Sequence, residues 1–281
     1  MKIIVTGGSG FVGSNTIKIL KEKGYDILNY DLREGYDIRD FDQLSSVIEP
    51  GDKILHLAAV ARFSEADQDP ERAWTTNIEG TDCIAKAAKK MEAERIVYGS
   101  TGSVYMPIEE NPPITESFKV RGNSVYGCTK LLGELAIKRV GIPYIILRYA
   151  HLYGEGKLDN GAINGFISRM KRGLAPVLYG GKQSGDFTYI KDIVQANILA
   201  LESDKLNETY NIGSGEELTT EEVFNQLKEF FNYDKEFERL PLRAFDPNRF
   251  IYDISKARKL LNYNPQYGFK KGMDDWYKKH E

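Results

Sequence analysis

The stretch Thr6-Gly7-Gly8-Ser9-Gly10-Phe11-Val12-Gly13 joins a short apolar run, Ile3 to Thr6, to a helical pattern, Val12 to Lys23. Glycines at positions 7 and 10 let the backbone turn tightly and let a pyrophosphate approach the start of the helix. Free N–H groups and the helix dipole favour negative charge there. A glycine at position 13 permits close contact between helix and strand. The stretch therefore predicts a dinucleotide site lined by Gly7, Gly10, Phe11, Val12 and Gly13.

Asp31 ends the second apolar run and lies 18 residues after Gly13. A carboxylate at this spacing accepts hydrogen bonds from an adenosine ribose and repels a 2′-phosphate. The spacing therefore favours NAD over NADP as cofactor, with Leu32 and Arg33 in the same site. The alternative is an ordinary glycine-rich turn followed by a solvated aspartate, and the agreement of strand, helix and acid spacing counts against it.

Short apolar runs alternate with amphipathic stretches through the first half of the chain. Parallel strands that are buried on both faces are continuously apolar, whereas crossover helices repeat apolar residues every three or four positions. The alternation predicts an α/β fold, a doubly wound parallel sheet of the Rossmann type. The predicted strands are Ile3 to Thr6, Ile27 to Tyr30, Lys53 to Leu57, Ile96 to Ser100 and Tyr144 to Arg148, and the predicted helices are Val12 to Lys23, Trp74 to Lys90 and Ser124 to Val140.

This regular alternation fades into glycine-rich connections beyond about Arg148. A chain of 281 residues also exceeds what one hydrophobic core usually organises. We therefore expect a dinucleotide-binding domain of residues 1–150 plus about 186–205, and a smaller, discontinuous C-terminal substrate lobe of about 151–185 and 206–281. Helical patterns at Tyr189 to Glu202, Thr220 to Phe231 and Ser255 to Leu261 accompany this division, and Leu240 to Arg249 suits a substrate-facing loop.

The composition is that of a soluble globular protein, with 41% hydrophobic and 28% charged residues. A formal charge of −3 gives no overall attraction to nucleic acid or to an anionic membrane. The only cysteines, Cys83 and Cys128, lie in helical stretches and form neither a disulfide framework nor a metal site with the three scattered histidines. No apolar run reaches membrane-spanning length, and we expect no signal peptide before the first strand. We expect a cytoplasmic protein with no nucleic-acid partner, no membrane partner and no metal.

Tyr126 and Lys130 stand four residues apart in a helical stretch, which places both on one helix face. Their position favours them as functional residues, because this helix follows the strand that ends at Ser100 and Thr101. Three other tyrosine–lysine pairs share the spacing, but two contain glycine and the third lies away from the strand ends. These pairs are Tyr153 with Lys157, Tyr252 with Lys256 and Tyr267 with Lys271.

A phenol has a pKa of about 10, so Tyr126 needs nearby positive charge to act as a base at neutral pH. The ammonium of Lys130 and a cationic nicotinamide would supply it. Tyr126 would then accept the proton of a substrate hydroxyl while hydride leaves the same carbon, and Thr101 would hydrogen-bond the substrate oxygen. The alternative is a surface tyrosine and lysine beside a strand-end threonine, and the dinucleotide site upstream favours the catalytic interpretation.

With these motifs in order, nearly the whole chain resembles the extended short-chain dehydrogenase/reductase family, in particular its NAD-dependent nucleotide-sugar epimerases and dehydratases of the UDP-glucose 4-epimerase type. Several motifs are weak individually, but together and in order they are strong. They are Thr6 to Gly13 (T-G-x-x-G-x-x-G), Asp37 to Asp40 (D-[IV]-R-D), His56 to Ala59 (H-x-A-A), Asn77 to Thr81 (N-[VI]-x-G-T), Ser100 to Tyr105 (S-[ST]-x-x-V-Y), Tyr126 to Lys130 (Y-[GA]-x-[ST]-K), Leu147-Arg148, Asp186 to Ile193, Asn211 to Gly215 and Asp253 to Ala257.

The resemblance implies NAD as cofactor, a nucleotide sugar as substrate, and a homodimer formed through the helices that contain Cys83 and Cys128. It implies catalytic roles for Thr101, Tyr126 and Lys130. The implied cofactor contacts, besides the glycine turn, Asp31, Tyr126 and Lys130, are Asp37, Ile38, Leu57, Ala58, Ala59, Ala61 and Asn77. The implied substrate contacts are Thr101, His151, Tyr179, Arg243, Asp246 and Arg249. Structural or solvated roles for Asn77, Asp37 and the two arginines are the alternatives.

Departures from the family pattern bear on which reaction of the family this chain catalyses and on how it binds the diphosphate. Dehydratases of the family carry an Asp-Glu pair after the threonine for the elimination of water, but this chain has Gly102 and Ser103, which argues against a 4,6-dehydratase. His151 stands where epimerases usually have asparagine. Gly185 stands where an arginine usually binds the diphosphate, and we expect Arg249 to compensate for the missing charge.

These features together predict NAD-dependent epimerisation of a nucleotide sugar, a UDP-sugar at C4, by oxidation to a keto-sugar and reduction from its other face. A reductase or a nucleotide-sugar decarboxylase would use the same tyrosine and lysine. A catalytically idle nucleotide-sensing protein is an alternative of another class, for which Gly185 and His151 are the supporting features. The intact set of Thr101, Tyr126 and Lys130 weighs against it.

Overall fold

The computed structural model describes residues 1–105, 113–122, 124–155, 162–241 and 248–277. In these ranges the strands are β1 (Ile3–Thr6), β2 (Ile27–Tyr30), β3 (Lys53–His56), β4 (Arg95–Thr101), β5 (Tyr144–Tyr149), β6 (His151–Tyr153), β7 (Val177–Tyr179), β8 (Ser184–Tyr189), β9 (Glu208–Ile212), β10 (Glu217–Thr219), β11 (Glu238–Leu240) and β12 (Arg249–Phe250). The α-helices are α1 (Phe11–Glu22), α2 (Phe41–Val47), α3 (Phe63–Gln68), α4 (Pro70–Trp74), α5 (Thr81–Lys90), α6 (Val125–Val140), α7 (Ala162–Lys171), α8 (Ile190–Glu202), α9 (Thr220–Phe230), α10 (Ser255–Leu261) and α11 (Phe269–Tyr277). A π-helical turn, Thr75–Gly80, joins α4 to α5.

The central sheet has six parallel strands in the order β2-β1-β3-β4-β5-β9. The chain leaves β1 first towards β2 and then returns to the other side of β1 as β3. This reversal creates a crevice beyond the carboxyl ends of β1 and β3, where nucleotides bind in folds of this kind. The doubly wound α/β fold predicted from the sequence is confirmed.

Each face of the sheet has its own helices. Residues Ile3 and Val5 of β1 pack in one hydrophobic cluster and Ile4 packs in the other, as alternating side chains of a strand should. Helices α1 and α8 contact each other on one face, whereas on the opposite face α2 and α6 each contact α5. The helix that carries Tyr126 therefore packs on the sheet beside β4, close to the crevice.

The smaller lobe is built around β8, which pairs antiparallel with β10 and parallel with β12 and β6. A second small sheet pairs β7 with β11. Two strands differ from the predicted division of the chain. Most of β8 lies in the range predicted for the large domain, but its partners are the strands of the small lobe. β9 lies in the range predicted for the small lobe, but it pairs in register with β5 of the large sheet. The large sheet therefore extends to residue 212.

One hydrophobic cluster runs from the large sheet into the small lobe, from Val5 and Leu147 to Tyr153, Phe187 and Tyr252. This shared core holds the two lobes together on either side of the crevice. None of the helices in the described ranges has the length and apolar character needed to cross a membrane. The two cysteines are free thiols, and the described residues contain no group of three or more metal-ligating His, Cys, Asp or Glu side chains.

Candidate active site

The glycine turn between β1 and α1 brings the start of the helix close to the loop after β3. Gly7 has a φ of +66°, and a Cβ there would lie 2.7 Å from Ala58 Cα. A Cβ on Gly13 would lie 2.6 Å from Gly8 Cα and would also meet the Gly7 carbonyl oxygen. Gly10 is the N-cap of α1, and no side chain caps the N–H groups of the first turn. These bare N–H groups and the space left by the missing Cβ atoms fit a pyrophosphate.

Asp31 lies beside this turn, at the end of β2. Its carboxylate accepts the N–H of Ser9 at 3.1 Å and the N–H of Arg33 at 3.0 Å. The Arg33 guanidinium donates to the Ser9 carbonyl oxygen at 3.1 Å, and Leu32 between them is exposed. Asp31 is therefore held at the turn, at the position where a carboxylate would meet an adenosine ribose.

Two further segments contain predicted cofactor contacts. The Asp37 carboxylate pairs with Arg39, whose hydrogen bonds hold the pKa of that carboxyl below its usual range, and Ile38 is buried against Gly80. The loop after β3 carries the other predicted cofactor contacts. Its residues are Leu57, Ala58, Ala59 and Ala61, of which Leu57 and Ala58 donate their N–H groups to Thr6 Oγ1, each at 3.2 Å.

Asn77 lies in the π-helical turn and is completely buried. Its side-chain oxygen accepts the N–H of Val60 at 2.7 Å, and its NH2 group donates to the Val60 carbonyl oxygen at 3.1 Å and to Thr129 Oγ1 at 3.0 Å. These bonds tie the loop after β3 to α6. The side chain thus positions the cofactor loop from behind, and the predicted direct contact with the cofactor stays a prediction.

The structure brings Thr101, Tyr126 and Lys130 together at the carboxyl end of β4. Thr101 is the last residue of this strand, and its Oγ1 accepts the N–H of Ser103 at 3.2 Å. Tyr126 lies in the first turn of α6, which Ser124 caps by accepting the Gly127 N–H at 3.0 Å. Lys130 follows one turn later, with a relative exposure of 2%.

The electrostatics of this group depend on burial. Burial raises the pKa of the Tyr126 phenol to about 12, and hydrogen bonding with Thr101 acts in the opposite direction. Burial lowers the pKa of Lys130 to about 7, against an opposing effect of Glu134. Among the described residues, no acceptor hydrogen-bonds the Lys130 ammonium, whose Nζ lies over the Tyr98 ring. A buried donor in this state fits a ligand that carries hydroxyl groups into the crevice.

The other tyrosine–lysine pairs have different surroundings. Tyr252 is buried and donates to the Tyr149 carbonyl oxygen at 3.4 Å, while Lys256 pairs with Glu208. Tyr267 contacts Lys191 at the start of α8, and Lys157 lies outside the described residues. Tyr252 Oη also lies near the end of β4, but Tyr126 is the one of the four whose phenol interacts with the Thr101 hydroxyl.

The position after Thr101 has no space for a side chain. A Cβ on Gly102 would lie 2.5 Å from Tyr252 Oη and 2.7 Å from Phe250 Cε1. The next residue, Ser103, contributes a hydroxyl that accepts from Thr101 at 3.3 Å. The acid pair of a dehydratase is thus absent from the sequence, and its first position is closed by aromatic side chains.

His151 and Gly185, the two other departures from the family pattern, are neighbours. The His151 ring lies 5.6 Å from the Phe187 ring and 5.5 Å from the Phe250 ring, measured between centroids. A Cβ on Gly185 would lie 3.3 Å from His151 Nδ1. A side chain at position 185 would therefore require the His151 ring to shift by a few tenths of an ångström.

The remaining predicted substrate contacts are more dispersed. Arg249 forms a two-bond ion pair with Glu217, with Nε–Oε1 and Nη2–Oε2 distances of 2.6 Å each. This pair opposes the predicted compensation for the missing arginine, because Arg249 would have to leave Glu217 to bind a diphosphate. Tyr179 lies on β7 in the small lobe and is 38% exposed. Arg243 and Asp246 lie outside the described residues.

A buried polar network beneath the site was not predicted. Glu134, one turn after Lys130, accepts hydrogen bonds from Ser100 Oγ at 2.6 Å and from the Arg148 guanidinium at 2.9 and 2.7 Å. Arg148 also donates to Tyr105 Oη, which donates to Asn211 on β9. The four-residue spacing from Lys130 to Glu134 is visible in the sequence, but the partners of the carboxylate come from other strands.

Comparisons with known proteins agree with this geometry. The profile of the family described as "NAD dependent epimerase/dehydratase family" matches residues 3–213. A putative UDP-glucose 4-epimerase of Methanocaldococcus jannaschii is 32% identical over 96% of this chain and 95% of its own length. A UDP-N-acetyl-alpha-D-glucosaminuronate decarboxylase of Bacillus cytotoxicus is 26% identical over 100% and 98%.

A crystal structure is also similar. The UDP-glucuronic acid 4-epimerase of Bacillus cereus, in complex with UDP-glucuronic acid and NAD, superposes with a TM-score of 0.89 at 28% identity and covers 100% of both chains. The predicted family and the predicted cofactor are thereby confirmed, with the bare glycine turn and the unbonded Lys130 ammonium as the features that fit NAD. The chain belongs to the NAD-dependent epimerase/dehydratase family, and NAD is its cofactor.

Proposed function

We propose that this protein epimerises a nucleotide sugar, a UDP-sugar at C4, through a transient keto-sugar that is reduced from its other face. One observation carries the proposal. Thr101, Tyr126 and Lys130 meet at the end of β4, and the neighbouring position 102 has no space for the acid that would expel water. The site is thus equipped to move a proton and a hydride without eliminating a hydroxyl.

The residues have separate tasks in this cycle. The turn from Gly7 to Gly13 would hold the pyrophosphate of NAD and Asp31 would hold its adenosine ribose, and the bound cofactor would supply a group that can take up and return a hydride. Tyr126 accepts the hydroxyl proton of the sugar as the hydride leaves the same carbon, and Thr101 hydrogen-bonds that oxygen. Lys130 favours the phenolate of Tyr126 by its charge. Tyr126 would give the proton back to the same oxygen when the keto-sugar is reduced, so the cycle would consume no NAD.

Proton NMR of the protein incubated with NAD and a UDP-sugar tests this reaction. UDP-glucose and UDP-glucuronic acid are the first substrates to try. We expect new ring couplings of the C4 epimer, unchanged NAD, and no methyl signal, because a dehydration product would lose a ring hydroxyl and gain a methyl group. A methyl signal, or failure to epimerise any of a panel of UDP-sugars, would overturn the proposal.

A decarboxylase is the second candidate, because a decarboxylase of UDP-N-acetylglucosaminuronate matches the whole chain. Oxidation at C4 also makes the carboxyl group of a uronic acid ready to leave, so the same Tyr126 and Lys130 would serve. Release of carbon dioxide from UDP-glucuronic acid would identify this reaction. Stoichiometric NADH formation would instead identify a dehydrogenase or reductase, and binding without turnover would identify the idle sensor.

A homodimer is part of the proposal. A groove of ≈ 670 Å³ runs along α5 and α6 and contains Trp74, Leu132 and Leu135, of which Trp74 is 50% and Leu135 52% exposed. Its rim carries charges of both signs, Asp82 and Arg139, which pair with each other at the surface. A second copy of the chain fits this patch, because a two-fold axis brings the same apolar centre and the same mixed rim together.

A further inference from the structure

The ring of Tyr98 lies directly beneath the Lys130 ammonium. Tyr98 belongs to β4 and is completely buried, and the Lys130 Nζ lies 4.0 Å from the centroid of its ring. Burial raises the pKa of the Tyr98 phenol well above its usual value, so the side chain is neutral throughout the working pH range. It therefore offers Lys130 the negative face of an aromatic ring and carries no charge of its own.

Gly133 on α6 makes this approach possible. A Cβ at that position would meet the Tyr98 hydroxyl and would lie 3.1 Å from Tyr98 Cζ and 3.0 Å from the Asn77 carbonyl oxygen. Any side chain at position 133 would force the ring and the helix apart. The Tyr98 ring thus packs directly against α6 at Gly133. Lys130 lies about one turn earlier on the same helix.

Of the other groups that face Lys130, Glu134 is negatively charged and the others are neutral. His56 on β3 is completely buried, and burial together with Lys130 lowers the pKa of its imidazole to about 3, so it is neutral. Glu134 on α6 favours the charged lysine, but its carboxylate is also neutralised by the Arg148 guanidinium on β5. Tyr126, one turn before Lys130, is a neutral phenol in the resting chain.

We propose that Tyr98 is a positioning residue for the reaction, whose ring face holds the Lys130 ammonium beside Tyr126 and favours its charged form. A desolvated cation within about 6 Å of an aromatic ring is stabilised by the ring quadrupole. Lys130 is buried and has no hydrogen-bond acceptor among the described residues, so the face of the Tyr98 ring, together with the charge of Glu134, offsets its lost hydration. Tyr98 acts through Lys130 and touches neither the sugar nor the reacting atoms.

The inference rests on the proposed role of Lys130, but it is measurable without turnover. Lysine labelled with carbon-13 at Cε gives NMR signals that report each ammonium, and Lys130→Met identifies the signal of Lys130. Titration of that signal gives its pKa, which we expect to lie below the usual lysine value in the cofactor-free protein because Lys130 is buried. The same titration with saturating NAD shows whether variants at position 98 change the Lys130 pKa in the same order when the cofactor is bound.

Variants at position 98 separate the ring face from the hydroxyl. Tyr98→Phe keeps the face, so the Lys130 pKa should stay within a few tenths of the wild-type value. Tyr98→Leu removes it and should lower the Lys130 pKa by about one pH unit, from the usual size of a desolvated cation–π contact. Because Tyr98→Leu alters the core, a second change uses a trifluorinated phenylalanine at position 98, which keeps the shape of Phe and weakens the negative face. This variant should also lower the pKa.

The matched control is Tyr144→Leu. Tyr144 on β5 lies beneath Lys138 of the same helix, but its ring centroid is 6.0 Å from that Nζ and away from the site, so the Lys130 pKa should not change. An equal Lys130 pKa in Tyr98→Phe and in the fluorinated variant would overturn the proposal. A Tyr98→Phe change as large as that of Tyr98→Leu would overturn it as well. Absence of epimerase activity would bear only on the proposed function, because the titration needs no substrate.

Discussion

The phenol oxygen of Tyr126 is the atom on which the proposed proton transfer depends. Tyr126→Phe removes this oxygen and keeps the ring that packs edge-on against Phe63, with centroids 5.3 Å apart. We therefore expect NAD affinity to stay nearly unchanged while turnover falls by about a hundredfold or more, the usual contribution of a general base. Steady-state kinetics with the accepted UDP-sugar and calorimetric titration of NAD measure the two quantities.

Tyr267→Phe is the control for this change. Tyr267 shares the spacing to a lysine but contacts Lys191 and lies away from Thr101, so its loss should leave turnover as in the wild type. Full activity of Tyr126→Phe would show that another base takes the proton. Loss of activity in both variants would indicate damage to the fold rather than loss of a catalytic group.

At the scale of elements, the junction of β1 and α1 depends on close backbone contact. Gly13→Ala would press a Cβ against Gly8 Cα, 2.6 Å away, and against the Gly7 carbonyl oxygen, neither of which can turn aside as a side chain does. We expect stability to fall by about 1–3 kcal/mol, as for overpacking, and NAD affinity to fall with it because α1 would leave the turn. Chemical denaturation and NAD titration provide the measurements.

Gly165 in α7 provides the control for Gly13→Ala. A Cβ there would have no neighbour within 4 Å, so Gly165→Ala should leave NAD affinity unchanged. It should raise stability by about 0.5–1 kcal/mol through helix propensity. Wild-type NAD affinity in Gly13→Ala would show that the turn does not depend on this contact.

The sequence predicted those elements that carry their own signal. Strands β1 to β5 are short apolar runs, and α6 begins after the capping serine Ser124 that closes its first turn. β9 joins the large sheet although its residues lie outside the range predicted for the dinucleotide-binding domain, and Glu208, Thr209 and Asn211 interrupt its apolar character. Asn211 is nevertheless buried, since it accepts from Tyr105 Oη at 2.6 Å and donates to the Ile114 carbonyl oxygen at 2.8 Å. Those partners are remote in sequence, so no local pattern could have indicated them.

In the candidate site, too, the features with a local sequence signal could be predicted and those that depend on remote partners could not. Thr101, Tyr126 and Lys130 could be predicted because each ends a strand or shares a helix face. The pairing of Arg249 with Glu217 could not, because it arises where β10 and β12 lie on either side of β8. The position of Tyr98 beneath Lys130 likewise depends on how closely α6 approaches the sheet at Gly133.

For the whole molecule, the exposed groove on α5 and α6 makes the proposed dimer directly testable. Leu135 is 52% exposed at the centre of the groove, and Leu135→Arg would place a charge on each side of the two-fold axis. Two like charges facing each other in an apolar interface destabilise it, so we expect a dimeric wild type and a monomeric variant at micromolar concentration. Light scattering after size-exclusion chromatography measures the mass, and circular dichroism checks that the variant is folded.

Leu174→Arg is the control for this last change, because Leu174 is 40% exposed after α7 and lies outside the groove. It should remain as dimeric as the wild type, which separates a local effect in the groove from the general effect of an added surface charge. A wild type of 31.9 kDa by light scattering, or a Leu135→Arg variant that stays dimeric, would contradict assembly through these helices. Because α6 also carries Tyr126 and Lys130, a monomeric variant with reduced turnover would show that the dimer supports the site from its far side.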